Sequence, residues 1–416
     1  MPDSLLAWLE HIEKVHPRTI EMGLERLEKV KARMGLHPSF RIFTVGGTNG
    51  KGSTCAMLES MLLHAGYRVG CYTSPHILRF NERIRINGFE ADDDEIASAF
   101  SVVEEGRHSV SLTYFEYTTL AAVKCFCDAK VDIAILEVGL GGRLDAVNLF
   151  DPDCSVISSI DFDHMDYLGE TREAIGYEKA GIMRRGKPAI CSDPDIPESV
   201  LAHAARTGAR LFRIGRDFGY ERHHDSWDYR GENERKGLPL PALKGEFQLM
   251  NASAAIAAID AAGLAVDEES IRRGLQDLKL PGRFQKIGNF ILDVGHNPQA
   301  ARMLAENLGS ESCLGKTIAI FGMLADKDIE GVIRELKGRI SEWLIFPLDV
   351  PRGADIERLK LAFSREDGEA CTAFHSLKDA RDHACATSGE NDRIVIFGSF
   401  YTVADFMKLI PPGQRG

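Results

Sequence analysis

A lysine and two hydroxyl residues follow a glycine-rich turn and could bind phosphate. The turn reads Gly46-Gly-Thr-Asn-Gly-Lys-Gly-Ser-Thr54 and stands between a strand-forming run and a helical run. Backbone N–H groups at such a helix start converge on an anion, and the helix dipole favours negative charge there. Lys51 can reach a terminal phosphate, while Ser53 or Thr54 can meet a phosphate oxygen or a metal ion. A nucleoside triphosphate is therefore the leading ligand on residue types alone.

The turn matches the Walker A pattern imperfectly. Val45 occupies the first glycine position, and Gly52 separates Lys51 from the hydroxyls. The alternative interpretation is a glycine-rich turn between strand and helix that carries a surface lysine. The order of strand, turn, lysine, hydroxyl pair and helix favours phosphate binding.

Polar residues recur where predicted strands end. The Ser53/Thr54 pair, Ser74, Glu137 and His164 all lie at or after such ends, and ligands of parallel sheets bind outside the carboxyl ends of the strands. Hydroxyl, carboxylate and imidazole together suit Mg²⁺ beside phosphate, although imidazole is an unusual Mg²⁺ ligand. Singly, each has another explanation: a helix-cap acceptor for Glu137, a hydrogen-bonded loop histidine for His164, a turn residue for Ser74. Their joint occurrence favours a metal–nucleotide site.

Two further features stay open at this point. Gly139-Leu-Gly-Gly-Arg143 departs from the dinucleotide fingerprint and fits either a tight turn after a strand or a ligand contact. Arg283, after Leu280-Pro-Gly, could join two domains by a salt bridge or reach a phosphate. Its place at a predicted domain boundary favours the phosphate, because ligands often bind between domains.

Alternating strands and helices must position these residues. After a helical lead with apolar positions at Leu24, Leu27, Val30 and Met34, a helix beyond the turn has an apolar face of Leu58, Met61, Leu62 and Ala65. The predicted strands are 40–45, 68–72, 131–136, 154–160, 290–294, 317–321, 343–347 and 393–397. Residues 213–246 predict an irregular or hairpin excursion. We expect an α/β fold with a P-loop-type, mostly parallel sheet covered by helices on both faces, and a smaller Rossmann-like C-terminal α/β domain. The predicted domains are 1–284 and 285–416.

Composition excludes several classes of protein. The 416 residues have a formal net charge of −12, which argues against nucleic acid as the main partner. Nine scattered cysteines without a CxxC motif suggest reduced thiols and a cytoplasmic protein. The N-terminal residues lack a signal-peptide pattern, and no apolar run reaches membrane-spanning length, so we expect no membrane partner.

Eight motifs occur in the order typical of one family, and through them the chain resembles the folylpolyglutamate synthase family of the Mur ligase superfamily. The resemblance is greatest to the bifunctional dihydrofolate synthase/folylpolyglutamate synthase members. The motifs are Gly47-Thr-Asn-Gly-Lys-Gly-Ser53, Thr73-Ser-Pro-His76, Leu112-Thr-Tyr-Phe-Glu-Tyr117, Glu137-Val-Gly-Leu-Gly-Gly-Arg-Leu-Asp145, Asp163-His164, Glu178-Lys-Ala-Gly-Ile182, Leu280-Pro-Gly-Arg-Phe284 and Asp293-Val-Gly-His-Asn-Pro298. The resemblance extends from about Trp8 to Met407. One departure is Gly295, where many members carry alanine.

The resemblance implies a role for each matching residue, with ATP and two Mg²⁺ ions as cofactors. It implies ATP contacts for Thr48, Asn49, Gly50, Lys51, Gly52, Ser53, Asn251, Arg283 and Asp293; Mg²⁺ ligation for Ser74, Glu137 and His164; and a dihydropteroate pocket of Glu21, Met22, Gly23, Thr113, Leu144, Asp145 and Ala146. Lys51, His164 and a carbamylated Lys179 would act in catalysis. Without the resemblance, Lys179 would be interpreted as a helix-surface lysine paired with Glu178 or with another neighbouring residue.

The implied activity is an ATP-dependent ligase that joins L-glutamate to dihydropteroate and to reduced folates through an acyl phosphate. The implied partners are these small-molecule substrates, with neither nucleic acid nor membrane, and the implied oligomeric state is a monomer. Alternatives are a monofunctional folylpolyglutamate synthase and another Mur-type ligase. The latter would usually carry an N-terminal uridine-binding domain, yet the P-loop begins by residue 46. A P-loop ATPase or GTPase switch is the alternative from another class, and the sequence has no Asn-Lys-x-Asp motif for guanine.

Overall fold

The structure is a computed structural model that describes residues 2–18, 20–366, 370–411 and 413. It contains two compact units: unit 1 is Met1–Ala242 with Gln248–Leu278, and unit 2 is Leu243–Phe247 with Lys279–Gly416. Unit 2 begins a few residues before the predicted division, because the Gly282 carbonyl already accepts a hydrogen bond from Val294 N. The assignment of functions to 1–284 and 285–416 stays a prediction.

Within the described residues, unit 1 is built on an eight-stranded sheet in the order β4-β3-β2-β5-β1-β6-β7-β8. Its strands are β1 Arg41–Gly46, β2 Val69–Tyr72, β3 Ile84–Ile86, β4 Phe89–Glu90, β5 Ile133–Glu137, β6 Cys154–Ile157, β7 Pro188–Cys191 and β8 Arg210–Arg213. The strands from β2 to β8 in this order run parallel, and β3 and β4 are antiparallel. The central strands are buried on both faces, as the apolar runs predicted.

Helices cover this sheet on both faces. They are α1 Leu5–Ile12, α2 Glu25–Met34, α3 Lys51–His64, α4 Asp93–Arg107, α5 Tyr114–Asp128, α6 Met165–Leu168, α7 Arg172–Ala180, α8 Glu198–Thr207, α9 Phe247–Ala261 and α10 Glu268–Gln276. The prediction of one apolar face on α3 was too narrow, because every residue from Ser53 to Glu59 is buried. Small side chains such as Ser53 and Ala56 let neighbouring elements approach that helix from several directions.

The predicted excursion at 213–246 forms an antiparallel sheet in the order β11-β10-β9. The strands are β9 Gly219–Arg222, β10 Ser226–Arg230 and β11 Arg235–Pro239. Trp227 and Tyr229 alternate inward along β10, as a half-buried strand requires. Arg235 makes a two-pronged ion pair with Asp260 of α9, with distances of 2.7 and 2.8 Å. The hairpin alternative is therefore confirmed and extended by one strand.

In the described part of unit 2, six strands form a sheet in the order β12-β13-β17-β14-β15-β16, parallel except at β12. They are β12 Gln285–Ile287, β13 Phe290–Asp293, β14 Thr317–Phe321, β15 Glu342–Ile345, β16 Cys371–Ala373 and β17 Arg393–Phe397; the helices are α11 Pro298–Ser310, α12 Ile329–Leu336, α13 Ile356–Arg365, α14 Leu377–Thr387 and α15 Phe400–Lys408. The predicted second α/β domain is confirmed. Across the described residues of both units, we find no helix with the length and apolarity needed to cross a membrane.

Candidate active site

The glycine-rich turn predicted to bind phosphate, called the phosphate turn below, connects the end of β1 to the start of α3. Gly47 has φ +144°, and a Cβ there would lie 2.0 Å from Ser158 Oγ; Gly50 has φ +85°, and its Cβ would lie 2.6 Å from Asn251 Oδ1. Both positions therefore require glycine, for conformation and for space. Lys51 Nζ donates to the carbonyls of Gly47 and Thr48, each at 3.0 Å. The lysine thus lies across the turn that it would serve.

The segment after β6 braces this turn, which the sequence did not predict. Thr48 N donates to Ser159 O at 2.7 Å, Asn49 N donates to Ser159 Oγ at 3.0 Å, and Ser158 Oγ donates to Asn49 O at 2.6 Å. Two small hydroxyl residues directly after a buried strand were the available signal. The braces fix the backbone of the turn, and they occupy the N–H groups of Thr48 and Asn49, so an anion would meet the N–H groups at the start of α3.

Strand register brings Ser74 and Glu137 beside the turn. Val45 is opposite Glu137 in the β1/β5 pair, and Tyr72 is opposite Leu136 in the β2/β5 pair. The buried Glu137 carboxylate accepts a hydrogen bond from Ser74 N at 3.0 Å. A Cβ built on Gly52 would lie 3.9 Å from Glu137 Oε1. The turn, Ser74 and Glu137 therefore meet at one edge of the sheet.

His164 occupies the loop after β6 and begins α6. Its φ is +51°, its backbone N donates to Asp163 Oδ1 at 2.9 Å, and its Nε2 lies 3.9 Å from Asp163 Oδ2. Among the described residues, no three His, Cys, Asp or Glu side chains are grouped as a metal cage. The predicted Mg²⁺ ligands include two side chains of those types and a hydroxyl. A buried carboxylate and a hydroxyl residue beside a phosphate turn fit a hard oxygen-seeking cation.

Lys179 of α7 is buried, with 3% exposure, so its interpretation as a surface lysine was wrong. Glu178 pairs instead with Arg143, at 2.8 Å. Burial lowers the pKa of Lys179 to about 7, and the Lys51 charge acts in the same direction, while Asp163 and Asp145 oppose it. A substantial fraction of Lys179 is therefore a neutral amine near neutral pH.

The Gly139–Arg143 turn supports α7. Arg143 N donates to Glu178 O at 2.8 Å, and a Cβ on Gly142 would lie 2.8 Å from that same carbonyl. Between its two interpretations, these contacts favour the tight turn. The turn fixes the helix that carries Lys179.

Asp145 caps the short 3-10 helix Ala146–Leu149. Its carboxylate accepts hydrogen bonds from Leu140 N at 2.8 Å and Val147 N at 3.0 Å. Burial nevertheless raises the pKa of Asp145 to about 7. Both oxygens serve the turn, so a pterin contact by this side chain stays a prediction, as it does for Leu144 and Ala146.

Two other predicted pocket segments lie close together through Arg26, which the sequence did not indicate, and Glu116, which lies in the Leu112–Tyr117 motif. Arg26 pairs with Glu21 and, at 2.8 Å, with Glu116, whose other oxygen accepts a hydrogen bond from Thr113 N at 2.7 Å. The hydrogen bond from His16 lowers the pKa of Glu21. A Cβ on Gly141 would lie 3.7 Å from Met22 Cε. Segment 21–23 therefore adjoins both the start of α5 and the Gly139–Arg143 turn, although no ligand identity follows from this.

Arg283 and Asp293 are neighbours within unit 2. Asp293 accepts hydrogen bonds from Phe284 N at 3.0 Å and Gly295 N at 2.7 Å. Burial raises the pKa of Asp293, and Arg283 opposes the rise. The guanidinium of Arg283 lies 5.8 Å from the ring centre of Phe400. A Cβ on Gly295 would lie 2.9 Å from Asp293 Oδ1, so glycine gives that carboxylate room.

Two known domain families match successive parts of this chain. Residues 45–259 match the Mur ligase middle domain, and residues 282–400 match the Mur ligase glutamate ligase domain. The dihydrofolate synthase/folylpolyglutamate synthase of Escherichia coli K12 is 43% identical over 99% of this chain and 97% of its own length.

Two solved structures share the whole fold. E. coli FolC in complex with DHPP and ADP has a TM-score of 0.94 and 43% identity, over 100% of this chain and 99% of that one. A bifunctional folylpolyglutamate synthase/dihydrofolate synthase with Mn, AMPPNP and L-glutamate bound has a TM-score of 0.91 and 44% identity, over 98% of each chain.

Proposed function

The chain belongs to the Mur ligase family and, within it, to the dihydrofolate synthase/folylpolyglutamate synthase family, and from this premise we propose how its residues act. The protein is an ATP-dependent ligase that joins L-glutamate to dihydropteroate, giving dihydrofolate, and to the terminal γ-carboxylate of reduced folates. The observation that carries the residue assignment is the meeting of the phosphate turn, Ser74 and Glu137 at neighbouring strand ends.

The reaction needs an activated carboxylate, because a carboxylate oxygen is a poor leaving group. A carboxylate oxygen of the acceptor attacks the γ-phosphorus of ATP, the bond to the ADP oxygen breaks, and an acyl phosphate forms. The glutamate amine then attacks the acyl carbon, the bond from that carbon to the phosphate oxygen breaks, and the amine loses a proton. Both ligations share this sequence, so one set of phosphate-binding residues can serve two acceptors.

We assign the phosphates of ATP to the turn Thr48–Ser53. In the structure Lys51 rests on two backbone carbonyls; on binding, its ammonium would turn to the terminal phosphate, where negative charge moves during transfer. Asn251 adjoins the turn at Gly50 and would contact the nucleotide. Arg283 and Asp293 keep their predicted ATP roles.

Ser74, Glu137 and His164 would hold Mg²⁺, and a second ion belongs to the proposal. Bound there, Mg²⁺ supplies neutralisation of charge on the phosphate oxygens. The protein's own part is to keep the Glu137 carboxylate buried and oriented by the Ser74 N–H. That orientation leaves the carboxylate near the start of α3, where the phosphates would lie.

Lys179 is the proposed carbamate. Its neutral amine would attack CO₂, forming an N–C bond and releasing a proton, so the amine becomes an anionic carbamate. Burial of Lys179 and the positive charge of Lys51 both disfavour the ammonium and so supply the neutral amine, and the Lys51 charge also favours the anionic product. Glu21, Met22, Gly23 and Thr113, with Leu144, Asp145 and Ala146, would line the dihydropteroate pocket.

The test is product analysis with purified protein, ATP, Mg²⁺, L-glutamate and one acceptor at a time. We expect dihydrofolate from dihydropteroate and a diglutamate from a monoglutamyl reduced folate. Product from the folate acceptor alone would reduce the assignment to a monofunctional folylpolyglutamate synthase. ATP hydrolysis that needs neither acceptor nor glutamate would instead indicate a nucleotide-dependent switch.

The proposal also includes a monomer in the cytoplasm. The free state of all nine cysteines supports a reducing compartment. Sedimentation of the purified protein with and without ATP tests the monomer, and a mass of twice 46.0 kDa would contradict it.

A further inference from the structure

A buried amide links the start of α9 to the start of α3. Gln248 is 1% exposed. Its Nε2 donates to Ser53 Oγ at 3.4 Å, and its Oε1 accepts from Asn251 Nδ2 at 3.0 Å. Residues 248 and 251 therefore form a continuous hydrogen-bonded chain with the phosphate turn. All three side chains belong to unit 1.

The order of donors and acceptors in this chain has a chemical consequence. Asn251 donates to Gln248, and Gln248 donates to Ser53, so the Ser53 oxygen accepts a hydrogen bond from the protein and keeps its own proton to donate. Thr54 differs, because its fully buried hydroxyl already donates to the Gly50 carbonyl at 3.0 Å. Of the two hydroxyls that could meet a ligand, the hydrogen bonds favour Ser53, and they favour it as a donor.

We propose that Gln248 is a positioning residue that makes Ser53 a hydrogen-bond donor to a phosphate oxygen of ATP and holds Asn251 against the phosphate turn. The inference rests on the proposed function, since it needs ATP at this turn. It assigns Ser53 to phosphate rather than to metal, because the Ser53 proton, which Gln248 Nε2 cannot accept, needs an acceptor; a phosphate oxygen is one and a metal cation is not. Gln248 also fixes the orientation of the Asn251 amide, because Asn251 Nδ2 donates to Gln248 and Asn251 Oδ1 lies next to Gly50.

The decisive variant is Gln248→Glu. A carboxylate at this position accepts the hydrogen bond that Ser53 would otherwise donate to phosphate. It also adds negative charge beside ATP. We expect the KM for ATP and the dissociation constant of ADP to rise tenfold or more, while the KM for glutamate and the Mg²⁺ concentration for half-maximal activity stay at parental values. Gln248→Met, which removes the hydrogen bonds without adding charge, should have a smaller effect on ATP.

Two controls separate this role from general damage. Gln276→Glu adds the same charge on the exposed face of α10 and should leave all four constants unchanged. Adding Ser53→Ala to Gln248→Glu should weaken ATP binding little further, because both changes remove the same hydrogen bond. Thermal melting of each variant checks that it is folded.

A parental affinity for ATP in folded Gln248→Glu would overturn the proposal. Ser53 would then donate to the carboxylate at position 248, and ATP would bind equally well without that hydrogen bond. If Gln248→Glu does not fold, Ser53→Ala decides: weaker ATP binding at an unchanged Mg²⁺ requirement supports the proposal, and a raised Mg²⁺ requirement overturns it. Lys51→Ala, measured alongside, tests the proposed function separately. Full turnover in that variant would reject the phosphate turn itself, whatever the outcome at Gln248.

Discussion

Two neighbouring loops of unit 1 differ in how firmly the fold holds them. The phosphate turn, Gly47–Ser53, is fixed by backbone bonds to Ser159 and by hydroxyl bonds from Ser158. The 161–167 loop, which runs into the short helix α6, carries His164, and its large side chains Phe162, Met165 and Tyr167 are 46%, 48% and 52% exposed.

The phosphate turn is held in place before any ligand binds, whereas the large side chains of the 161–167 loop are about half exposed. The backbone of the turn is already held in place, so binding phosphate there would cost little reorganisation. A loop with exposed aromatic rings and little apolar burial is drawn from the less stable part of a fold. We therefore expect the turn and the strand ends to dominate catalysis and His164 to contribute less.

Lys51→Ala should have the largest effect. It removes a point charge that would meet the terminal phosphate, and we expect turnover to fall by about 10³-fold. The side chain is only partly buried and donates to the carbonyls of Gly47 and Thr48, so the melting temperature should change little. Phosphate release and calorimetry measure the two quantities. Near-parental turnover in the folded variant would show that the firmly held phosphate turn does not dominate catalysis.

Glu137→Gln and His164→Ala compare the strand end with the loop. Glu137→Gln removes the charged oxygen ligand, and we expect the Mg²⁺ concentration for half-maximal activity to rise about 10- to 100-fold. His164→Ala should raise it less, because its loop is less firmly held and imidazole is a weaker partner for Mg²⁺. Magnesium titrations of initial rate provide the comparison. Unchanged metal dependence in both variants would reject this site, and a larger effect at His164 would reverse our ranking.

Lys179 should give a smaller, pH-dependent effect. Its lowered pKa of about 7 means that the ammonium predominates below pH 7 and the neutral amine, which carbamylation needs, predominates above it. We expect a ¹³C carbamate signal from labelled bicarbonate at pH 8 that falls about tenfold at pH 6. Lys179→Ala should lose the signal, and Lys187→Ala, which changes an exposed lysine paired with Asp153, should keep it. A signal that survives Lys179→Ala would contradict the assignment.

Phe162→Ser should have the smallest effect. Its ring is largely exposed, so the free energy of unfolding should change by less than about 0.5 kcal/mol. Urea denaturation of the parent and the variant measures this change. A loss of several kcal/mol would show that the 161–167 loop is held as firmly as the phosphate turn, which would remove the distinction drawn here.

Local pattern was enough to predict eight strands, the glycine-rich turn between β1 and α3, and the second α/β domain. Buried apolar runs such as Thr317–Phe321 have clear ends, and Gly47 and Gly50 are required by backbone conformation. The prediction missed β3, β4, β7, β8, β12 and β16, which have two to four residues each and therefore little pattern to detect. The full burial of α3 could not be predicted, because periodicity describes one helix and not the number of elements that pack on it.

Long-range partners were also beyond prediction. Gln248 is 195 residues from Ser53, and Arg26 is 90 residues from Glu116, so no spacing rule connects them. Lys179 was assigned by resemblance, and its burial became evident only from the packing of α7 against the Gly139–Arg143 turn. Some positioning residues, such as Arg143 and Glu178, lie within motifs, whereas Gln248 and Arg26 lie outside every motif.

The central claim is that the acceptor carboxylate is phosphorylated before the amide forms, and an oxygen label tests it most directly. Dihydropteroate with ¹⁸O in its carboxylate is converted with ATP and L-glutamate, and the inorganic phosphate is analysed by mass spectrometry. The account predicts one ¹⁸O atom in each phosphate released with dihydrofolate, because the attacking carboxylate oxygen leaves on phosphorus. Unlabelled phosphate accompanying labelled dihydrofolate would contradict the acyl phosphate and the roles derived from it.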